Sequence, residues 1–168
     1  MQRRVFTACF RGFYGLPQPV FSKIVSSAFF LSHDIRRDVE LNIVFFEEGV
    51  AARFIGSRLR HIHVDEASLR GVYRKLRLAV ERGGGSPHWG VYVTPLRKLS
   101  RMHGYVPSTK GVEVREVRCG TTCLFTLGCP WGGVEVKVSV KPRPIDAYIA
   151  LVNILLDRIE EGLPPLPP

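Results

Sequence analysis

The feature that most constrains the fold is the segment 39–46, VELNIVFF, which is rich in β-branched and aromatic residues and has no polar/apolar alternation. A strand of this kind is buried on both faces, as strands are in the sheets of α/β proteins. The segment 123–127, CLFTL, has the same character. Segments with helical spacing of apolar residues separate the strand-like ones. Together they predict an α/β fold, with one sheet and helices on both of its faces.

The order of elements follows from periodicity and from turn residues. Asp65 is a predicted N-cap for a helix that ends at Gly83, and Glu47, Glu48 and Gly49 form a predicted hairpin turn. Nothing indicates a linker, so we expect one domain over residues 1–162 and a Pro-rich tail over 163–168. The predicted strands are 5–10, 39–46, 51–55, 90–94, 112–117, 123–127 and 134–140, and the predicted helices are 20–31, 66–82 and 144–161.

The charge of the chain indicates a polyanionic partner. Lys and Arg total 24 against 15 acidic residues, a net charge of +9, and 18 of the 24 are arginine. Arginine grips phosphates bidentately and stacks on bases, which favours RNA. A basic, heat-adapted surface is the alternative. No apolar segment is long enough to span a bilayer and none resembles a signal peptide, so a cytoplasmic protein without a membrane partner is expected.

The four cysteines, Cys9, Cys119, Cys123 and Cys129, contain no CxxC pair and have no histidine at ligand spacing. We therefore expect no metal site. Buried thiols on adjacent strands are the simplest arrangement. An intrachain disulfide is the alternative if the source is a hyperthermophile, because such cytoplasms tolerate these bonds.

The densest polar cluster is the segment 33–38, HDIRRD, between an apolar helix and a buried strand. Its charges could satisfy one another as a salt-bridge network. Alternatively, Arg36 and Arg37 grip RNA together with His33, while Asp34 or Asp38 orients them or accepts a proton. Arg70, Arg74 and Arg77 share one helix face, which is either solvated or a contact for an RNA backbone.

Two loops after strands could hold a ligand, because ligands of α/β folds bind at strand ends. One is the segment 127–133, LGCPWGG, where glycines allow close approach and Trp131 could cover a flat ring. It lacks the spacing of a dinucleotide or P-loop motif, so a tight turn is the alternative. The other is the segment 139–144, SVKPRP, where a strand meets the last helix.

Four segments resemble the archaeal tRNA (pseudouridine-N1)-methyltransferases of the SPOUT class. AFFLSHDIRRDV at 28–39 resembles a signature of that family, and FIGSRLRHIHVDEASLR at 54–70 is similar to its FxGSxLxxxxPDER stretch. GVYV at 90–93 resembles its GIYV, and LVNILLDR at 151–158 resembles its closing helix. The resemblance is strong over the first hundred residues and weaker after them.

This resemblance implies a SPOUT-type sheet with a C-terminal trefoil knot, a homodimer, and S-adenosylmethionine-dependent N1-methylation of tRNA pseudouridine(54). It implies that backbone groups of three loops hold the cofactor. Carried over by position, the candidate cofactor residues are Val117, Gly128, Val138, Ser139, Val140, Lys141, Arg143 and Tyr148.

The chain departs from the family after residue 127. The family's GDHxG is replaced by Gly128, Cys129, Pro130, Trp131 and Gly132, and few residues separate this turn from the next strand, so a shortened knot is expected. The family's Arg-x-Asp falls on Pro17, Gln18 and Pro19. Asp34 and Asp38 are then the candidate bases. The alternative functions are a catalytically degenerate dimeric RNA-binding paralogue and a small RNA-binding module unrelated to methyl transfer.

Overall fold

The computed structural model describes residues 2–100, 103–164 and 166. In these residues nine strands form one sheet: β1 (Arg3–Phe10), β2 (Val39–Phe45), β3 (Val50–Ile55), β4 (Gly85–His88), β5 (Val91–Pro95), β6 (Gly104–Ser108), β7 (Val112–Glu113), β8 (Thr122–Leu127) and β9 (Gly133–Lys137). The α-helices are α1 (Gln18–Phe29), α2 (Glu66–Arg82) and α3 (Ile145–Glu160). Short 3₁₀ turns lie at Phe13–Gly15, Leu96–Lys98 and Val114–Glu116.

The strand order is β4-β5-β3-β2-β1-β8-β6-β9-β7. Strands β1, β2, β8, β6, β9 and β7 are parallel, whereas β3 is antiparallel to both β2 and β5. Strand β5 therefore runs in the same direction as β2. We call the side where the parallel strands end the carboxyl edge, and the opposite side the amino edge.

The three α-helices form a single layer on one face of the sheet. Helix α1 packs against both α2 and α3, and the buried residues of all three belong to one apolar cluster with Phe6, Ile43 and Phe54. Phe21 of α1 lies 6.0 Å, centroid to centroid, from Phe54. The prediction of an α/β sheet is confirmed, but the prediction of helices on both faces is wrong for the described residues.

The other face of the sheet is buried without a helix. Cys9, Val44 and Ala51 form a second apolar cluster that is covered by Leu96 and Leu99 after β5 and by Cys129 and Trp131 after β8. Loop and turn segments therefore close this face. The composition of a strand indicates that both of its faces are buried, but not whether a helix or a loop covers each face. The prediction of helices on both faces of the sheet failed for this reason.

Local signals predicted the first half of the chain well. The Asp65 side chain accepts a 2.8 Å hydrogen bond from the Ser68 amide, and Gly83 has φ of 77°, so α2 begins and ends as predicted. The hairpin between β2 and β3 is confirmed. Predictions for the second half were poorer. The strand predicted at 112–117 ends at Glu113, the one predicted at 134–140 ends at Lys137, and β4 and β6 were missed.

The cysteines are paired rather than free. Cys9 at the end of β1 is bonded to Cys129 in the turn after β8, and Cys119 is bonded to Cys123. Of the two arrangements left open by the sequence, the structure therefore contains the disulfides. Within the described part of the chain, no helix is long and apolar enough to cross a bilayer.

Candidate functional site

The polar cluster HDIRRD is tied to the last helix by Arg36. Its guanidinium donates two hydrogen bonds to the Asp157 carboxylate, at 3.1 and 2.7 Å, and its side chain is 13% exposed. Arg4, only 1% exposed, lies 2.8 Å from the same carboxylate and 3.4 Å from that of Glu160. Arg36 therefore fastens the loop after α1 to α3. Of the two readings of this cluster, its contacts favour the salt-bridge network over an RNA contact at Arg36.

The charge of Asp157 is maintained by these two arginines. Burial alone would raise the pKa of the Asp157 carboxyl, but the hydrogen bonds and positive charges of Arg36 and Arg4 outweigh burial and lower it below its ordinary value. Asp157 is thus a stable anion that shares its oxygens between two guanidiniums.

The two candidate bases of this cluster differ in their surroundings. The Asp34 carboxylate is exposed and accepts a 2.7 Å hydrogen bond from the Ile35 amide. The Asp38 carboxylate is largely buried and lies 3.7 Å from Nε of Arg4. Both are at the amino edge, since Asp38 immediately precedes β2.

Arg37 lies at the centre of a basic surface on the amino edge. Its guanidinium donates to the carbonyls of Gly56 and Leu59, at 3.2 and 2.9 Å, and half of the side chain remains exposed. It borders two adjoining concavities of about 530 and 640 Å³. Arg3 and Arg53 also line the second concavity, but both are paired with Glu40. We call the remaining cationic and histidine lining the amino-edge surface; it consists of His33, Arg37, Arg58, Arg60, His61 and His63.

Sequence reasoning identified His33 and Arg37 of this surface but not the other four residues. The segment 57–63, SRLRHIH, carries an evident concentration of basic and histidine residues. The segment resembles part of the family's FxGSxLxxxxPDER stretch, but this resemblance does not indicate that its basic residues lie beside Arg37. The loop that contains it reaches Arg37 because β3 is antiparallel to β2, so the end of β3 lies beside the start of β2.

The arginines of α2 are largely neutralised. Arg70 pairs with Glu66 at 3.1 Å and Arg77 with Glu81 at 3.0 Å, both one turn apart on the exposed face. Arg74 is exposed and has no ion pair within the described residues. This face is therefore mostly a solvated helix surface, on which Arg74 is the RNA candidate that remains unpaired among the described residues.

The carboxyl edge brings together the ends of β6, β8 and β9. The Val138 amide donates a 3.0 Å hydrogen bond to the Ser108 carbonyl. Gly128 follows β8 with φ of 66°, and a Cβ there would lie 3.3 Å from the Cys9 carbonyl oxygen and 3.8 Å from Ile145 at the start of α3. A left-handed glycine at this point lets the chain turn closely over the end of β1.

The eight candidate cofactor residues divide into three groups. Val138, Ser139, Val140 and Arg143 line a cavity of about 380 Å³ between the loop after β9 and α3. Gly128, Lys141 and Tyr148 are in the same loops or in the first turns of α3 but do not line it. Val117 does not line the cavity either, but its amide donates a 3.2 Å hydrogen bond to the carbonyl of Val114, which does.

Within the loop after β9, Ser139 organises the backbone. Its hydroxyl accepts hydrogen bonds from the Lys141 amide at 3.3 Å and from Nε of Arg143 at 3.1 Å. Apolar walls from Leu151 and Leu155 of α3 complete the cavity. The arrangement offers backbone polar groups on one side and an apolar surface on the other, which suits a small ligand with a flat ring.

The amino-edge surface and the loops of the carboxyl edge lie about one strand length apart. Strand β2 has seven residues, which corresponds to about 20 Å at the usual rise of a strand. Asp34 and Asp38 therefore lie far from the turn at Gly128. The cavity of about 380 Å³ extends along α3 towards the amino edge, because Arg158 and Ile159 also line it and the adjacent Asp157 contacts Arg4 and Arg36. The described residues include no group of three His, Cys, Asp or Glu side chains placed to hold a metal ion.

The backbone is a mixed α/β fold with one large sheet and three α-helices in the described residues. It is similar to the crystal structure of Archaeoglobus fulgidus Nep1 bound to S-adenosylhomocysteine, with a TM-score of 0.51, 14% sequence identity, and coverage of 88% of this chain and 71% of that chain. At this identity the likeness establishes the fold alone. No protein-family model matches the chain.

Sequence comparison defines the relationship further. The chain is related to the tRNA (pseudouridine(54)-N(1))-methyltransferases, which confirms the resemblance expected from its sequence. It is 35% identical to that of Haloferax volcanii over 105 residues and 41% identical to that of Natronomonas pharaonis over 78 residues. It is 29% identical over 170 residues to that of Methanococcus maripaludis, covering 82% of this chain and 83% of the relative.

The stronger matches are partial. They span 61% and 44% of this chain, and only 43% and 39% of the Haloferax and Natronomonas proteins. The similarity is thus highest over less than half the length of those relatives.

Proposed function

We propose that this chain is an S-adenosylmethionine-dependent RNA methyltransferase that methylates N1 of pseudouridine(54) in tRNA, and that it acts in the cytoplasm. The activity for which its relatives are named supports this, as does the S-adenosylhomocysteine bound to its structural neighbour. The observation that carries the proposal is the convergence of the ends of β6, β8 and β9 beside a ligand-sized cavity at the last helix.

The residues at the carboxyl edge fit the cofactor. A cavity of about 380 Å³ lies within the size range of small-molecule sites. The backbone of residues 138–143 would hold the polar groups of S-adenosylmethionine, and Leu151 and Leu155 would contact its adenine ring. The cofactor supplies a methyl group that its sulfonium has already activated. The protein then has to align that methyl with N1 and assist the removal of one proton.

RNA is assigned to the amino-edge surface. Arg58 and Arg60 are exposed and have no ion pair within the described residues, and Arg37 remains half exposed beside Asp34 at 3.6 Å. Phosphate contacts provide much of the affinity of such proteins for nucleic acid. Among the other RNA candidates, Arg74 retains an exposed charge, whereas Arg36, Arg70 and Arg77 are already paired.

A homodimer reconciles the separation of the two edges. The amino-edge surface lies about 20 Å from the cofactor loops of its own chain. In a dimer it could lie beside the loops of the second copy, which would also bring Asp34 within reach of that copy's ligand. Asp38 is a weaker candidate base than Asp34, because it is largely buried beside Arg4.

The proposed fold includes a trefoil knot at the carboxyl edge. Its support is the position of β9, which lies between β6 and β7, although these two strands are consecutive in the chain. The short connection from Ser108 to Val112 therefore crosses the end of β9. Tracing residues 104–145 in an experimental density map would test whether α3 threads this connection.

Calorimetry with S-adenosylmethionine tests the cofactor assignment. We expect saturable binding of S-adenosylmethionine. A Ser139→Ala/Arg143→Ala double variant should weaken its affinity at least tenfold, because the hydrogen bonds that hold the loop after β9 are lost and the Arg143 side chain no longer lines the cavity. Lys23→Ala, an exposed change on α1, is the matched control. Absence of binding at millimolar ligand in a folded protein would refute the proposal. Transfer of labelled methyl to tRNA that contains pseudouridine, but not to unmodified transcript, tests the reaction.

A dimeric RNA-binding paralogue without catalysis is the second candidate function. It is favoured by the turn after β8, which carries Cys129, Pro130 and Trp131 where the family has GDHxG, and by the engagement of Asp38 with Arg4. Retained tRNA binding combined with no cofactor binding and no methyl transfer would select this function over the first.

A further inference from the structure

A second cavity at the carboxyl edge lies on the face of the sheet that has no helix. It measures about 800 Å³ and lies over the ends of β2, β5 and β8. Its apolar walls are Phe46, Leu96, Leu99, Pro130 and Trp131, and we call it the Trp131 pocket. None of these residues is among those assigned to the cofactor or to the amino-edge surface.

The aromatic walls of the Trp131 pocket present a surface suited to a flat ring. The rings of Trp131 and Phe46 are 6.1 Å apart, centroid to centroid, and inclined at 73°. The two rings therefore do not stack on each other, and Phe46 stands as a side wall to the indole. The disulfide between Cys9 and Cys129 fixes the turn that carries Trp131.

Trp131 also carries a hydrogen-bond donor that is not satisfied within the described residues. Its indole Nε1 is buried and has no acceptor there. Because this atom is enclosed by protein, a ligand in the pocket contacts the face of the indole rather than its N–H.

The rim of the Trp131 pocket is cationic. Arg97 lines it and Lys98 follows directly; both are exposed and neither has an ion pair within the described residues. No acidic side chain is among the lining residues that are described. An aromatic floor with a cationic rim is the combination that binds bases and phosphates of single-stranded nucleic acid.

We propose that the Trp131 pocket binds one unstacked base of RNA. The base lies against the face of the Trp131 indole, and Arg97 contacts the adjoining phosphate. Gly128 and Trp131 belong to the same turn, so the base lies next to the loops assigned to the cofactor. Identification of this base as the one that is methylated rests on the proposed function, whereas base binding itself does not.

The test uses a Trp89→Phe background, in which Trp131 is the only emitting tryptophan. We expect a short oligouridylate to quench its emission saturably. In anisotropy measurements with the same labelled oligomer, Trp131→Ala should lower affinity roughly tenfold, because a stacked base is lost. Trp131→Phe should lose less, since it keeps an aromatic ring against which the base can stack. Arg97→Ala should also reduce the slope of log affinity against log salt by about one. Lys23→Ala is the charge-matched control on the helix layer.

Two results would overturn the proposal. The first is a Trp131→Ala protein that has native circular dichroism and binds the oligomer within twofold of its parent. The second is equal quenching by a polyphosphate, which has charge but no bases. Because none of these measurements includes S-adenosylmethionine, a protein that binds the base but fails the calorimetric test would refute the proposed function and leave this inference standing.

Discussion

The ion pairs at Asp157 allow a sharp test of whether HDIRRD is a structural clamp. We consider Asp157→Asn, which keeps the size of the side chain but removes its charge. Arg36 then loses a bidentate partner at 3.1 and 2.7 Å, and the buried Arg4 loses a contact at 2.8 Å. Arg4 retains Glu160 at 3.4 Å and hydrogen bonds to Asn153 at 3.2 Å.

The expected loss follows from these contacts. Removing one partner of a fully buried ion pair costs about 3–5 kcal/mol. Asp157 is about one-third exposed (32%) and Arg4 keeps other partners, so we expect about 2–3 kcal/mol in the free energy of unfolding at neutral pH. For a chain of this size, that corresponds to a fall in Tm of roughly 5–10 °C.

The pH dependence supplies an independent check. The pKa of the Asp157 carboxyl is lowered in the folded protein, because the two arginines outweigh the effect of burial. The stabilisation is therefore fully present above the ordinary value of 3.8 and is lost as pH falls through the lower, folded value. The difference between wild type and Asp157→Asn should be constant near neutral pH and shrink below about pH 4.

Urea unfolding followed by circular dichroism at several pH values measures both effects. Glu81→Gln, which breaks the exposed pair with Arg77, is the matched control and should cost less than about 0.5 kcal/mol. If Asp157→Asn lowers the free energy of unfolding by as little as Glu81→Gln does, or if its difference from wild type grows as pH falls, the structural role of Arg36 is refuted. Arg36 would then again be a candidate RNA ligand.

Three further predictions concern other parts of the chain. Arg37→Ala should weaken tRNA binding about tenfold and reduce the salt slope by about one, whereas Arg77→Ala should change neither appreciably, as filter binding at several salt concentrations can measure. Cys129→Ser should lower the free energy of unfolding by about 2–4 kcal/mol and leave a free thiol at Cys9 that alkylation and mass spectrometry detect; an unchanged stability would contradict the disulfide. Gly111→Ala should lower the free energy of unfolding by at least about 2 kcal/mol, because Gly111 has φ of 104° and a Cβ there would overlap the Glu135 carbonyl. An unchanged midpoint in thermal unfolding would contradict the close crossing of this connection over β9.

The elements that could be predicted from sequence are those whose signals are local. Helix α2 has an N-cap at Asp65 and a left-handed stop at Gly83 within its own segment. Strands β1, β2 and β8 are apolar enough to be recognised alone. Strand β6 is not, because it begins at Gly104 and contains Pro107, and only its neighbours β8 and β9 make it a strand. No local sequence pattern indicates that this segment pairs with β8 and β9.

The candidate site was harder to predict for the same reason. Whether Arg36 binds RNA or closes an ion pair depends on Asp157, which is 121 positions away in the chain. The identity of the amino-edge surface depends on β3 returning antiparallel to β2, which brings Arg60 and His61 beside Arg37. The sequence held the residues of both sites, but their partners are set by the topology of the sheet.

Because of this topology, the surface assigned to RNA binding and the loops assigned to the cofactor lie at opposite sides of the sheet. The amino-edge surface carries the charge that attracts RNA, while the cofactor loops and the Trp131 pocket lie a strand length away, about 20 Å, at the carboxyl edge. Changes at Arg37 should then alter affinity and its salt dependence alike for every RNA sequence, because phosphate contacts carry no sequence information. Changes at Trp131 act on one base, and they should alter the rate with the modified nucleotide more than the affinity for the whole tRNA. On these proposals, the turn after β8, which carries Cys129, Pro130 and Trp131, is where the choice of nucleotide would be made.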